Sequence, residues 1–128
     1  MAFKILTVDD STTIRKIVRK TLGAFNCEIL EAQNGVEGLA VVNNEKPDLM
    51  ILDVTMPIMT GIEMLERLRS ERKIEAIPVI MLTAESGKEA VTKAVRMGIK
   101  DYIVKPFKGP ELLERIQKHI RLVPRPRE

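Results

Sequence analysis

The sequence alternates short apolar runs with amphipathic stretches, five times in succession, over almost the whole of its 128 residues. Short apolar runs bounded by polar residues are typical of strands, and longer stretches with helical periodicity are typical of helices. The predicted strands are residues 3–8, 27–31, 49–52, 79–82 and 102–104. The predicted helices are residues 11–23, 35–44, 61–71, 87–97 and 110–122. This alternation predicts a parallel sheet whose strands are joined by helical crossovers.

The third and fourth apolar runs, "LMILD" and "VIML", are apolar on both faces of a strand. Strands that are buried on both faces are typical of parallel sheets covered by helices. Five strand–helix units are too few for a closed barrel of eight. We therefore expect an open, doubly wound α/β sheet, in which right-handed crossovers bring the C-terminal ends of the strands to one edge.

The predicted helix starts carry capping signals. Asn34 precedes Glu37 by three residues, and Ser86 precedes Glu89 by three, both in the order of a capping box. Both pairs support the predicted helix boundaries.

Composition excludes several classes of function. No apolar run approaches the roughly 20 residues of a membrane span, and the start "MAFKILTVDD" becomes acidic too early for a signal peptide. We therefore expect a cytoplasmic protein. A net charge of +3 and an aromatic content of 3% do not favour a nucleic-acid partner. The single cysteine, Cys27, allows no internal disulfide and is expected to be a buried strand residue.

Polar residues follow four of the five predicted strands. Asp9 and Asp10 follow the first strand, Asp53 the third, Thr83 the fourth and Lys105 the fifth. Ligands of open α/β sheets bind outside these strand ends. Three carboxylates at close range repel one another, and one takes up a proton unless a cation compensates. Oxygen ligands of this kind suit Mg²⁺, so the sequence predicts a magnesium site at this edge.

The same residues suit phosphoryl transfer. A carboxylate can act as a nucleophile and form an acyl phosphate. The transferred group needs its negative charge neutralised, and the Lys105 ammonium and the Thr83 hydroxyl can contact its oxygens. The set lacks a dedicated hydrolytic base, which favours a phosphorylated protein as the product over a turnover enzyme.

Four motifs, "VDDS", "ILDVTMPIMTG", "VIMLTA" and "DYIVKPF", resemble the receiver domain of response regulators in two-component signalling, of the CheY-like kind found in chemotaxis. The resemblance covers about residues 3–122. It implies a flavodoxin-like fold with five helices and a five-stranded parallel sheet of order 2-1-3-4-5, an order that the strand pattern alone does not fix. We expect a receiver domain over residues 1–122 and a short solvated tail over residues 123–128.

The resemblance also implies a role for each site residue. Asp53 would accept a phosphoryl group from a sensor histidine kinase or a phosphotransfer protein. Asp10, Asp53 and the backbone carbonyl of Thr55 would bind Mg²⁺ directly, and Asp9 would help through water. Thr83 and Lys105 would bind the phosphoryl group, and the Lys105–Pro106 bond would be cis.

In this family the Thr83-position hydroxyl moves toward the phosphoryl group and the aromatic at the Tyr102 position turns inward. This change would remodel the surface of the fourth helix, fifth strand and fifth helix, where a downstream protein would dock. The chain departs from the family at Thr60, where Asp or Asn is frequent. Thr55 and Glu85 lie at positions that tune dephosphorylation, so the lifetime of the phosphorylated state stays open. The only histidine, His119, is expected at the surface, so the phosphohistidine donor must be another protein.

Several alternatives remain at this point. The chain begins at Met1 and ends just beyond the fifth predicted helix, so we expect a stand-alone regulator, a monomer or a weak phosphorylation-dependent dimer. A receiver fragment of a larger regulator is the alternative. A phosphatase of the haloacid-dehalogenase kind would need a second acid where this chain has Thr55. A flavodoxin would need a hydroxyl- and glycine-rich phosphate loop where this chain has "DDSTT".

Overall fold

The computed structural model describes residues 2–84, 87–99 and 101–126. Within them, strands and α-helices alternate as the sequence predicts. The elements are β1 (Phe3–Val8), α1 (Thr12–Leu22), β2 (Cys27–Ala32), α2 (Gly35–Glu45), β3 (Leu49–Asp53), α3 (Gly61–Ser70), β4 (Val79–Thr83), α4 (Lys88–Arg96), β5 (Asp101–Val104) and α5 (Gly109–Gln117), with a 3₁₀ turn at Ile74–Ala76. No helix in these ranges has the length and apolar character to cross a membrane.

The strands form one parallel sheet in the order β2-β1-β3-β4-β5, which confirms the expected flavodoxin-like fold. β1, β3 and β4 each have a hydrogen-bonded neighbour on both sides, and every residue of β3 and β4 is buried. Helices α2, α3 and α4 pack their apolar side chains on one face, and α1 and α5 cover the other. The strand ends that carry the polar residues therefore meet at one edge between the two helical layers.

Side-chain caps fix the start of α1, α2 and α3 at this edge. The Ser11 hydroxyl accepts the Ile14 N–H (3.2 Å) at the start of α1, and Asn34 accepts the Glu37 N–H (3.0 Å) at the start of α2. A complete capping box, which the sequence analysis missed, joins Thr60 and Glu63 at α3. Each cap satisfies a backbone donor that the first helical turn leaves unpaired. The predicted cap Ser86 and the adjacent Glu85 lie outside the described residues.

Helix α5 ends at Gln117, five residues before the predicted end at Leu122, so that boundary was wrong. The apolar periodicity continues past the helix because Leu122 is 9% exposed and joins the core from non-helical backbone. Beyond it, the Val123 carbonyl accepts the Asn26 N–H (2.8 Å) and the Arg125 N–H donates to the Ala24 carbonyl (2.9 Å). Residues 123–126 are exposed, but backbone hydrogen bonds of Val123 and Arg125 join them to the segment that precedes β2.

Near the C-terminal end of β1, Thr7 carries a buried hydroxyl. Thr7 is fully buried, and its Oγ1 has no hydrogen-bond partner among the described residues. A buried hydroxyl without a partner loses its hydration without compensation.

We expect Thr7→Val to stabilise the protein by about 1 kcal/mol, because valine keeps the shape of threonine and removes the unpaired hydroxyl. Urea unfolding measures the change. Thr13→Val, at an exposed position of α1, is the matched control and should shift the free energy of unfolding by less than about 0.5 kcal/mol. A loss of stability in Thr7→Val would show that the hydroxyl has a partner.

Candidate functional site

Three carboxylates meet at the C-terminal edge of the sheet. Asp9, Asp10 and Asp53 each offer an oxygen within 4.8 Å of the others. Asp9 and Asp53 are buried, at 0% and 4% exposure, whereas Asp10 is exposed. The chain therefore brings together the three acids that the sequence analysis singled out. Their oxygens could hold a metal ion, with its open side at Asp10.

Lys105 lies directly against two of these acids. Its Nζ is 2.9 Å from Asp53 Oδ1 and 3.3 Å from Asp9 Oδ2. The Lys105 N–H donates to the Thr83 carbonyl (2.7 Å), which extends the β4–β5 pairing beyond Val104. The Lys105–Pro106 bond that follows is cis, as the resemblance implied. The lysine thus offsets part of the negative charge that β1 and β3 bring to the edge.

Burial and charge act in opposite directions on these groups. Burial raises the pKa of Asp53, the Lys105 hydrogen bond lowers it and the Asp9 charge raises it, and the net direction is upward. Burial lowers the pKa of Lys105, but its contacts with Asp53 and Asp9 outweigh burial and the pKa is raised. The lysine is therefore held in its charged form. Asp53 ionises less readily than a free carboxyl, so a further cation would favour its charged form.

Close backbone packing fixes the position of Asp53. A Cβ atom on Gly61 would lie 2.2 Å from the Asp53 carbonyl oxygen, and the Gly61 N–H donates to the Val54 carbonyl (2.9 Å). Any side chain at residue 61 would push the start of α3 away from the end of β3. On the other side, the Arg15 guanidinium donates to the Asp9 carbonyl (2.6 Å). The sequence analysis identified Gly61 only as a helix start and did not assign Arg15.

Thr55 and Thr83, which the sequence analysis assigned to the site, border one cavity. Thr55 and Thr83 line a cavity of about 770 Å³ between α3 and α4. Thr55 is exposed and Thr83 is 2% exposed. The Thr83 hydroxyl donates to the Ala84 carbonyl (3.2 Å). In this state, the hydroxyl is therefore engaged with the loop before α4.

Tyr102 projects from β5 and is 44% exposed. It borders a second cavity, of about 400 Å³, whose lining includes Thr83, Gly87 and Val91. Thr83 and Tyr102 thus share one cavity between β5 and α4, as a coupled movement of the two side chains would require.

A family model of the response regulator receiver domain matches residues 5–117. The chain belongs to the response regulator receiver family. It is similar to a chemotaxis protein CheY homolog of Campylobacter jejuni, with 41% identity over 89% of each chain. It is also similar to chemotaxis protein CheY1 of Helicobacter pylori, with 40% identity over 89% of this chain and 94% of the relative.

Among solved structures, the receiver is similar to the chemotaxis response regulator CheY4 of Vibrio cholerae. That likeness has a TM-score of 0.84 and 35% identity, and it covers 94% of this chain and 100% of the other. These similarities identify a CheY-like response regulator, a signalling protein. They confirm the resemblance on which the sequence analysis drew.

The receiver also contains a charged cluster that the sequence analysis did not find. Arg115 of α5 donates to Asp101 Oδ1 (3.0 Å) and to the Tyr102 carbonyl (3.0 Å), and His119 pairs with Asp101 Oδ2. Burial raises the pKa of Asp101, but the hydrogen bonds from His119 and Arg115 together lower it by more, so the net direction is downward. Residues 14 to 18 positions apart leave no periodic signal of such a contact.

Because Asp101 ionises more readily in the folded state, its interactions stabilise the fold above its ordinary pKa of 3.8, and this stability is lost as the pH falls through the lowered value. We expect Asp101→Asn to cost about 1 kcal/mol near pH 6, with the difference from wild type shrinking below pH 3.8. Thermal unfolding from pH 6 to pH 3 measures it. Glu114→Gln, at an exposed position of α5, should show no such pH dependence, and a constant deficit in Asp101→Asn would contradict the assignment.

Proposed function

We propose that this receiver is a phosphorylation switch in which Asp53 accepts a phosphoryl group in a Mg²⁺-dependent reaction. The donor is a phosphohistidine of a sensor histidine kinase or of a phosphotransfer protein. The observation that carries the proposal is the juxtaposition of Asp53 with the Lys105 ammonium, at 2.9 Å, beside two further carboxylates at the end of the sheet. A nucleophile, a cation and a cluster of oxygen ligands therefore lie at one point.

In the proposed step, a carboxylate oxygen of Asp53 forms a bond to phosphorus while the bond between phosphorus and the donor's ring nitrogen breaks. The electron pair of that bond stays on the donor's nitrogen, and the product is an aspartyl phosphate. Lys105 turns from the carboxylate to a phosphoryl oxygen, and the Thr83 hydroxyl donates to another. Both contacts spread charge away from the phosphoryl group, which is the main requirement of such a transfer.

The donor set of Asp9, Asp10 and Asp53 fits Mg²⁺, because all three offer oxygen and their ligand atoms converge within 4.8 Å. Asp10, Asp53 and the Thr55 carbonyl would hold the ion directly, and Asp9 would act through water. When bound, the ion would supply positive charge that offsets the negative charge of the transferred group. The raised pKa of Asp53 supports this assignment, since a cation would favour the ionised nucleophile.

The site supports a switch rather than a turnover enzyme. Membership of the receiver family, together with the similarity to chemotaxis proteins, argues against the phosphatase and flavodoxin hypotheses. A dehalogenase-type phosphatase would place an acid where this chain has the exposed Thr55. The receiver would lose its own phosphoryl group slowly and return to the resting state.

The proposed output is a change of the surface formed by α4, β5 and α5. Thr83 and Tyr102 border one cavity, so a move of the hydroxyl toward the phosphoryl group frees space into which Tyr102 can turn. Val95 and Val104 are exposed on α4 and β5, at 57% and 40%, and offer apolar contacts to a downstream protein. We propose a cytoplasmic, stand-alone regulator that acts through protein contacts, as a monomer or as a weak dimer when phosphorylated.

Acetyl phosphate tests the nucleophile without a kinase. With Mg²⁺, we expect intact-mass spectrometry to show one phosphoryl adduct per chain, and we expect none when the metal is chelated. The reaction forms a bond from Asp53 to phosphorus and breaks the bond from phosphorus to the acetate oxygen, so acetate leaves with the electron pair.

Asp53→Asn is the matched control, because it keeps the size of the side chain and removes the anionic nucleophile. It should show no adduct. A wild-type adduct that survives in Asp53→Asn would place the acceptor elsewhere. A sustained, Mg²⁺-dependent release of inorganic phosphate far beyond one equivalent would support an enzyme instead.

The surface change has its own optical probe, because Tyr102 is the only tyrosine and the chain has no tryptophan. We expect phosphorylation to lower the acrylamide quenching of Tyr102 fluorescence, since the ring would leave solvent for the cavity shared with Thr83. Asp53→Asn and Thr83→Ala should both abolish the change. Quenching that is equal with and without the phosphoryl group in the wild type would show that Tyr102 is not part of the switch.

A further inference from the structure

Gly87 provides the space in which the Thr83 hydroxyl rests. A Cβ atom built on Gly87 would lie 2.0 Å from Thr83 Oγ1, a separation that two unbonded atoms cannot adopt. The Ala84 carbonyl accepts both the Gly87 N–H (2.9 Å) and the Thr83 hydroxyl (3.2 Å). The Ala84 carbonyl therefore binds the hydroxyl, and Gly87 leaves room for it.

The backbone at Gly87 does not itself require glycine. Its φ of −83° and ψ of 30° lie on the side of the map that residues with side chains adopt. Gly98 is the opposite case, because its φ of +93° favours glycine although nothing lies within 4 Å of a Cβ there. What Gly87 provides is therefore space, used chiefly by the Thr83 hydroxyl, because the next nearest atom, the Ala84 carbonyl oxygen, would lie 3.0 Å from such a Cβ.

We propose that Gly87 is a positioning residue for Thr83, which holds the hydroxyl in its resting orientation, away from the phosphoryl site, until Asp53 is phosphorylated. The functional consequence rests on the proposed function of Asp53. The orientation of Thr83 does not.

A side chain at residue 87 would change the balance between the staggered orientations of Thr83. Its Cβ would exclude the present position of Oγ1, and the hydroxyl would lose the Ala84 carbonyl as a partner. Thr83 also lines the cavity that Thr55 borders, and this cavity would receive the displaced hydroxyl. In Gly87→Ala, Thr83 would therefore already be oriented as the phosphorylated state requires.

The orientation of Thr83 can be measured directly. In protein labelled with ¹³C and ¹⁵N, the three-bond couplings from the Thr83 methyl carbon to the backbone nitrogen and carbonyl report χ1. We expect these couplings to change in Gly87→Ala and to be unchanged in Gly23→Ala. Gly23 is the matched control, because it has a negative φ and a Cβ there would meet only backbone oxygens at 3.4 Å or more. Unchanged Thr83 couplings in Gly87→Ala would overturn the proposal.

The functional arm measures how fast acetyl phosphate and Mg²⁺ form the Asp53 adduct. We expect Gly87→Ala to react about fivefold faster than wild type, the population ratio that one ordinary hydrogen bond supports. Thr83→Ala removes Oγ1 and leaves the Thr83 Cβ, at 3.4 Å from a residue-87 Cβ, in ordinary contact. In that background Gly87→Ala should have no effect on the rate, because the two residues act through one contact.

A rate change in Gly87→Ala could also arise from an altered start of α4. An effect of that kind would persist in the Thr83→Ala background. An equal rate change in both backgrounds would therefore overturn the proposal. If Gly87→Ala is too unstable to assay, the proposal requires that Thr83→Ala restore its melting temperature, and a failure to restore it would count against the contact.

The two proposals can fail separately. If the wild type forms no adduct, the proposed function is wrong, and the couplings still decide the orientation of Thr83. If the wild type forms the adduct and Gly87→Ala reacts at the wild-type rate, the proposed function stands and the role of Gly87 in the switch is wrong.

Discussion

The contact of Lys105 with Asp9 and Asp53 is the interaction on which the arrangement of this edge depends. Two carboxylates are taken out of water at the ends of β1 and β3, and burying such charges without a partner is costly. The ammonium at 2.9 and 3.3 Å compensates them only because the end of β5 lies on the same edge of the sheet. The charge balance of the site therefore depends on the order and direction of the strands.

The compensation is incomplete, and this is what makes the edge chemically useful. One lysine faces three acids, and the pKa of Asp53 stays raised, chiefly by burial. A fully neutralised cluster would have no affinity for a further cation, including a cation that accompanies a phosphoryl group. The residual negative charge favours a metal, whereas the movable ammonium of Lys105 suits an incoming anion.

Much of this could be predicted from the sequence. The apolar runs of β3 and β4 gave the parallel sheet, and residues that follow buried strands must meet at one edge, so Asp9, Asp53 and Lys105 were found together. The end of α5 could not be predicted, because Leu122 continues the apolar periodicity while packing from non-helical backbone. Some contacts depend on how elements pack in the folded chain, such as that between Gly61 and the Asp53 carbonyl. In the sequence such a contact appears only as a glycine, and the reason for the glycine becomes clear only when the neighbouring residue is located in the structure.

The Arg115 guanidinium holds the backbone carbonyl of Tyr102 (3.0 Å) and also the carboxylate of the preceding residue. The edge strand β5 is thereby attached to α5, and the ring of Tyr102 is left free. The proposed change of state at this surface would then need only the rotation of the Thr83 and Tyr102 side chains and no sliding of a strand. Rotations of exposed side chains take place in picoseconds to nanoseconds, far faster than collective backbone motions. The response of the surface would therefore follow the occupancy of the phosphoryl site without a delay of its own.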